Sequence, residues 1–176
     1  MPDYLSLPIG EAAPGVVNAI IEIPMGSSNK YEYDKRLHVF RLDRNLYSPV
    51  HYPGDYGFIP STLAEDGDPL DVLVLTEQPS FAGCLMEVRP IGFLEMSDQG
   101  RRDEKILAVA TRNPQYTSVH DYAEIYPHML RAIQHFFSVY KELESKPVAT
   151  HTWQNAAAAR ANITQCHERF LQSRAH

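Results

Sequence analysis

Cysteine is scarce in this chain. Cys84 and Cys166 are the only two among 176 residues, too few for a disulfide framework and consistent with reduced thiols in a cytoplasm. Basic charge is also in deficit: 16 Lys and Arg stand against 22 Asp and Glu, a formal net charge of −6. A general nucleic-acid binder would need a basic face, so that class is excluded. No apolar run is long enough to span a membrane, and the N-terminal stretch carries Asp3 and Glu11 without the apolar core of a secretory signal. The phosphate-loop pattern GxxxxGKS/T, the G-x-S-x-G elbow and the H-E-x-x-H pair are missing as well, which argues against a nucleotide machine. Glycine is absent beyond Gly100 and proline is rare beyond Tyr122, so a β-rich body punctuated by turns should be followed by helices. At 44% hydrophobic and 22% charged, residues 1–176 suit one globular domain.

What is present in excess is aspartate in one short stretch. Asp66, Asp68 and Asp71 fall within six residues, directly before Val72-Leu73-Val74-Leu75. The apolar run reads as a strand buried on both faces, so the acids sit at a rigid strand end. Two carboxylates roughly 4 Å apart repel by about 4 kcal/mol at an effective dielectric of about 20, so three that converge must protonate or share cations. Their hard oxygens suit Mg²⁺, Mn²⁺ or Ca²⁺. A solvated acidic turn is the plain alternative. An EF-hand loop matches at Asp66, Asp68 and Glu77, but Leu70 and Asp71 occupy its fifth and sixth positions and a strand follows where the loop should continue.

Elsewhere, residues 18 to 24 read as a strand interrupted by Glu22. Residues 30 to 34 read as a second, whose alternation sets Lys30, Glu32 and Asp34 on one face and two tyrosines on the other. Residues 37 to 42 are strand-like and lead to Asp43-Arg44. Tyr52 to Pro60, rich in Pro and Gly, is expected to be a shaped loop. Strands over 87–95 and 105–110 enclose a polar connection that folds Asp98 back toward Asp103 and Lys105. Pro127 should open a helix running to about Glu144, with Leu130, Ile133, Phe137 and Tyr140 on one stripe. A second helix is expected from about Asn155 to Leu171, with Trp153 at its entrance and Cys166 in the core. His128 and His135 have no third ligand at suitable spacing and read as surface or subunit-contact residues.

Scattered acids alongside Lys30, Arg44, Lys105 and Lys141 form the inventory expected for metal-assisted phosphoryl transfer to water. The run Asp66-Gly-Asp-Pro-Leu-Asp71-Val resembles the signature of the soluble (family I) inorganic pyrophosphatases of bacterial type. Other motifs follow in that family's order: Ile21-Glu22-Ile-Pro24, Lys30-Tyr-Glu32, Asp43-Arg44, Tyr52-Pro-x-x-Tyr56-Gly, Asp98 with Asp103-x-Lys105, and Tyr140-Lys141. The similarity spans about Glu22 to Glu144 and weakens from Trp153 onward.

The resemblance implies an α+β, mainly β fold: a five-stranded OB-like closed barrel flanked by two main C-terminal helices. It implies hydrolysis of diphosphate, as its Mg complex, to two orthophosphates with three or four Mg²⁺, for which Mn²⁺ or Zn²⁺ can substitute. By the same resemblance Asp66, Asp71 and Asp103 hold the first metal and Asp71 the second. Asp98 and Asp103 hold the third, Glu32 helps place the fourth, and Glu22 supports the site. Asp68 is the general base, Lys30 and Tyr56 hold the attacked phosphoryl group, and Arg44, Tyr140 and Lys141 hold the leaving phosphate. Lys105 tunes the aspartates, Tyr52 hydrogen-bonds near the base, and kinship alone implies a cytoplasmic homohexamer. Two rivals are a hydrolase of another phosphoanhydride, such as polyphosphate or a nucleotide, and a non-catalytic phosphate- or cation-binding module.

Overall fold

A computed structural model describes residues 3–175. In chain order the strands are β1 (Val17–Ile23), β2 (Asn29–Asp34), β3 (Val39–Asn45), β4 (Asp55–Phe58), β5 (Asp71–Leu75), β6 (Leu85–Asp98), β7 (Arg101–Arg102), β8 (Lys105–Ala110) and β9 (Val148–Asn155). The helices are α1 (Pro127–Val139) and α2 (Ala156–Arg174). Strands β1, β4, β5, β8 and β6 pair in that order, and β6 pairs back onto β1, closing a five-stranded ring. Strand β7 and strand β9 extend β6, while β2 and β3 form a separate two-stranded sheet. The mainly β body with two C-terminal helices is the architecture expected.

Alternation along β5 explains how the ring is covered. Leu73 and Leu75 join the apolar cluster that holds Ile133, Phe136 and Phe137 of α1. Val72 and Val74 join the one that holds Ala159, Ile163 and Cys166 of α2. Strand β5 is therefore buried on both faces, as its unbroken aliphatic run requires. It pairs with β8 in parallel, and that register sets Asp71 directly beside Lys105 at the start of both strands. Cys166 lies in the core, where burial pushes its thiol up although Arg169 Nη1 stands 3.9 Å from the sulfur.

Three expectations need correction. The Tyr52 to Pro60 segment is not all loop, because Asp55–Phe58 is the fully buried strand β4. Gly57 there is a packing residue: a Cβ at this position would lie 1.8 Å from the Ile20 carbonyl oxygen of β1. Helix α1 stops at Val139, and a 3₁₀ turn over Glu142–Glu144 follows, so Tyr140 and Lys141 leave the helix axis. Successive helical residues point about 100° apart, and ending the helix here lets both side chains turn to one cavity. Strand β9, built from polar and Thr/His residues, carries no apolar alternation that the sequence could announce. It pairs with β6 and holds Trp153 stacked on Tyr122 at 6.0 Å, ahead of α2. Asn155 then caps α2 by accepting the Ala158 N–H.

Asp55 has a structural part in this frame. Its carboxylate is fully buried and accepts the Met25 N–H at 2.8 Å and the Ser80 N–H at 3.1 Å. Asp55→Ala would orphan both donors, each costing about 1–3 kcal/mol. The expected result is a lower urea midpoint at an unchanged slope, and an unshifted midpoint would show that the two N–H groups find other partners.

Candidate active site

The sequence-distant acids meet along one open cavity of about 520 Å³ at one end of the ring. Strand β1 contributes Glu22, β2 contributes Lys30 and Glu32, and β4 contributes Tyr56. The turn before β5 brings Asp66 and Asp68, and β5 itself opens with Asp71. Asp103 and Lys105 come from the entry to β8, and Tyr140 and Lys141 from the exit of α1. A second cavity of about 490 Å³ shares Asp66, Asp68 and Asp103 as a common wall and adds Asp98 from the end of β6. The expected return of Asp98 toward Asp103 occurs through the β6–β7 hairpin, where the Asp103 N–H donates to the Met96 carbonyl at 3.0 Å.

Lysines neutralise the carboxylates in pairs. Lys105 Nζ sits 2.6 Å from Asp71 and 2.8 Å from Asp103, and Lys141 bonds Asp98. Lys30 bridges Glu32 at 3.5 Å and Asp43 at 3.4 Å, so those two faces of β2 and β3 cooperate. Among the described residues no three acids stand close enough to share a cation as they are. The expectation of a ready convergence is corrected to acids lining one cavity, with Asp71 and Asp103 drawn to the Lys105 ammonium and Asp98 to that of Lys141, while Asp66 accepts the Asp68 N–H.

Burial dominates the electrostatics. It pushes the carboxyls of Asp66, Asp68 and Asp103 up, with Asp71 adding to the effect on Asp68. Glu22 is pushed to about 7 by burial, against the Tyr33 N–H that donates to it. Burial pulls the Lys105 ammonium down, but Asp71 and the neighbouring tyrosines and Asp103 outweigh it, leaving this lysine well above its ordinary value. Burial also drives the Tyr56 phenol far up, which keeps its hydroxyl a proton donor.

Arg44 and Tyr52 line neither cavity. Arg44 bonds Asp43, and Glu144 accepts from its Nη2 at 3.1 Å. Its Nε lies 2.8 Å from Glu144 but out of hydrogen-bond alignment. Glu144 is the residue that sequence reading missed, since a partner 100 positions away carries no local signal. Tyr52 is buried behind Tyr56, ring to ring at 5.3 Å, and against Phe136 at 4.8 Å. No hydrogen bond joins its hydroxyl to Asp68 among the described residues, so its contact with the site is packing. His128 and His135 are exposed on α1.

The family model for inorganic pyrophosphatase matches residues 19–171. The inorganic pyrophosphatase of a Nostoc species is 53% identical over 152 residues, covering 86% of this chain and 90% of the relative. That of Methanosarcina mazei is 47% identical, covering 88% of this chain and 92% of the relative. The crystal structure of inorganic pyrophosphatase from Thermus thermophilus superposes with a TM-score of 0.94 at 44% identity, covering 96% of this chain and 99% of that one. With the acidic cavity, the ring of strands and these likenesses in agreement, the chain belongs to the inorganic pyrophosphatases, a family of diphosphate hydrolases.

Proposed function

We propose that this chain hydrolyses inorganic diphosphate to two orthophosphates by in-line attack of a water that Asp68 deprotonates, with Mg-diphosphate as the substrate. The observation that carries this reading is the single cavity in which Asp66, Asp68, Asp71 and Asp103 share walls with Lys30, Tyr56, Lys105, Tyr140 and Lys141. The donor set fits magnesium: every candidate ligand is a carboxylate oxygen, and Asp98 Oδ1 is buried with no hydrogen-bond partner. Asp66, Asp71 and Asp103 would hold one ion and Asp71 a second. Asp98 and Asp103 would hold a third, and Glu32 a fourth with Glu22 in support. Bound there, such ions supply neutralising charge and make water more acidic.

The chain's own residues do the rest. Asp68, exposed on the cavity wall and with its carboxyl pushed up by desolvation, accepts the proton of the attacking water as its oxygen bonds to phosphorus. Lys30 and the protonated Tyr56 hold the phosphoryl group under attack. The bridging P–O bond breaks toward Tyr140 and Lys141, which line the cavity and stabilise charge on the leaving phosphate. Lys105 bridges Asp71 and Asp103, its ammonium 2.6 Å from one and 2.8 Å from the other. By kinship we further place the chain in the cytoplasm as a homohexamer. Helix α1 presents His128, Met129 and His135 outward, beside the exposed Tyr126 that precedes it, and no described helix is long and apolar enough to cross a membrane.

Phosphate-release kinetics test the proposal. The rate should follow the concentration of Mg-diphosphate, stop in excess chelator, and be far lower with nucleoside triphosphates. Rates that tracked uncomplexed diphosphate and ignored chelator would overturn the metal-dependent mechanism. Comparable turnover of triphosphates would favour a broader phosphoanhydride hydrolase.

A further inference from the structure

Five cations line the main cavity: Lys30, Lys35, Arg36, Lys105 and Lys141. Three of them are already committed to carboxylates, Lys30 to Glu32 and Asp43, Lys105 to Asp71 and Asp103, and Lys141 to Asp98. Lys35 and Arg36 alone make no ion pair among the described residues, and both are exposed on the turn between β2 and β3. The turn is held in place. Asp34 Oδ1 accepts the N–H groups of Arg36 and Leu37 at 2.9 Å each, and its other oxygen pairs with Arg41 at 3.2 Å. His38 closes the turn at φ 56°, its N–H donating to the Asp34 carbonyl at 2.7 Å and its ring bonded to the Tyr33 hydroxyl.

Seven acids line the same cavity, in a chain of net charge −6, so an anionic substrate approaches against a repulsive field. We propose that the β2–β3 turn is an anion-capturing lip, in which Lys35 and Arg36 take hold of incoming diphosphate at the rim and pass it to Lys30 and Lys141 inside. Lys35 and Asp68 line the same cavity, which sets the lysine's charge on the wall that holds the reacting groups. Lys35 and Arg36 are positioning residues for capture and take no part in bond making. The inference rests on the reading of the cavity as a diphosphate site.

Phosphate release from Mg-diphosphate is to be measured across ionic strength for the wild type and for Lys35→Ala/Arg36→Ala. The conservative swap Lys35→Arg/Arg36→Lys is measured beside them. The control is Arg112→Ala/Arg131→Ala, which removes two exposed cations that line neither cavity. The lip variant should lose about 10-fold in kcat/KM at low salt, within the range of electrostatic steering, chiefly through KM. The gap should close as salt rises past the point where the screening length falls below about 8 Å. The conservative swap should behave like the wild type, and the lip variant should melt like it, since neither side chain is buried. A lip variant with wild-type kcat/KM at low salt, or one no different from the control, overturns the capture role. A wild type that releases no phosphate from Mg-diphosphate overturns the underlying reading itself, and the lip with it.

Discussion

Asp68→Asn is expected to lower diphosphate turnover by at least about 10²-fold, the loss typical of removing a general base. Asparagine matches aspartate in shape, and the Asp68 backbone N–H that donates to Asp66 at 3.0 Å is untouched by the change. The turn should therefore keep its form while the side chain loses its ability to take a proton. KM for Mg-diphosphate should change far less than kcat, because Asp68 is assigned to the attacking water and the substrate grip lies with Lys30, Tyr56 and Lys141. Steady-state phosphate release by the purified variant checks both quantities. Unaltered turnover would remove Asp68 from its role and leave Asp66 or Glu22 to be tested next.

Lys105→Met should have the largest effect on stability. Lys105 is buried, and its ammonium is the common partner of Asp71 and Asp103. Methionine fills similar volume but leaves two carboxylates facing each other across β5 and β8. Removing one partner of a buried ion pair costs about 3–5 kcal/mol. Denaturant melts should show that loss without added metal, and millimolar Mg²⁺ should restore more stability to the variant than to the wild type, since a cation can stand where the ammonium stood. Equal magnesium responses in the two proteins would mean that Asp71 and Asp103 do not bind a cation together.

The strand ends that carry the site were legible wherever local pattern and chemistry coincide. Val72 to Leu75 reads as a buried strand from its unbroken aliphatic run, and the three aspartates before it mark the strand end that borders the cavity. The β4 segment misled because Gly57 and its neighbouring prolines are turn signals in sequence, whereas the glycine is there to admit the Ile20 carbonyl. Strand β9 was invisible because β6 supplies its partner through backbone hydrogen bonds, which leave no trace in side-chain periodicity. Arg44 was legible as a cation beside Asp43, but its second anchor, Glu144, belongs to a turn that only the end of α1 creates.

By itself the order of residues determined the chemistry on offer: hard oxygen donors, ammonium and guanidinium groups, phenols, and no thiol pair, phosphate loop or basic face. It also determined the two-sided burial of β5 and the amphipathic stripe of α1, because the first follows from an unbroken aliphatic run and the second from a 3.6-residue period. Only the tertiary structure decided which of those groups meet. Asp71 faces Lys105 because β5 and β8 lie in parallel register, and Asp98 reaches Lys141 because a hairpin and a helix end approach from opposite sides. Such meetings depend on strand register and on where a helix stops, and those are settled by packing among residues far apart in the chain.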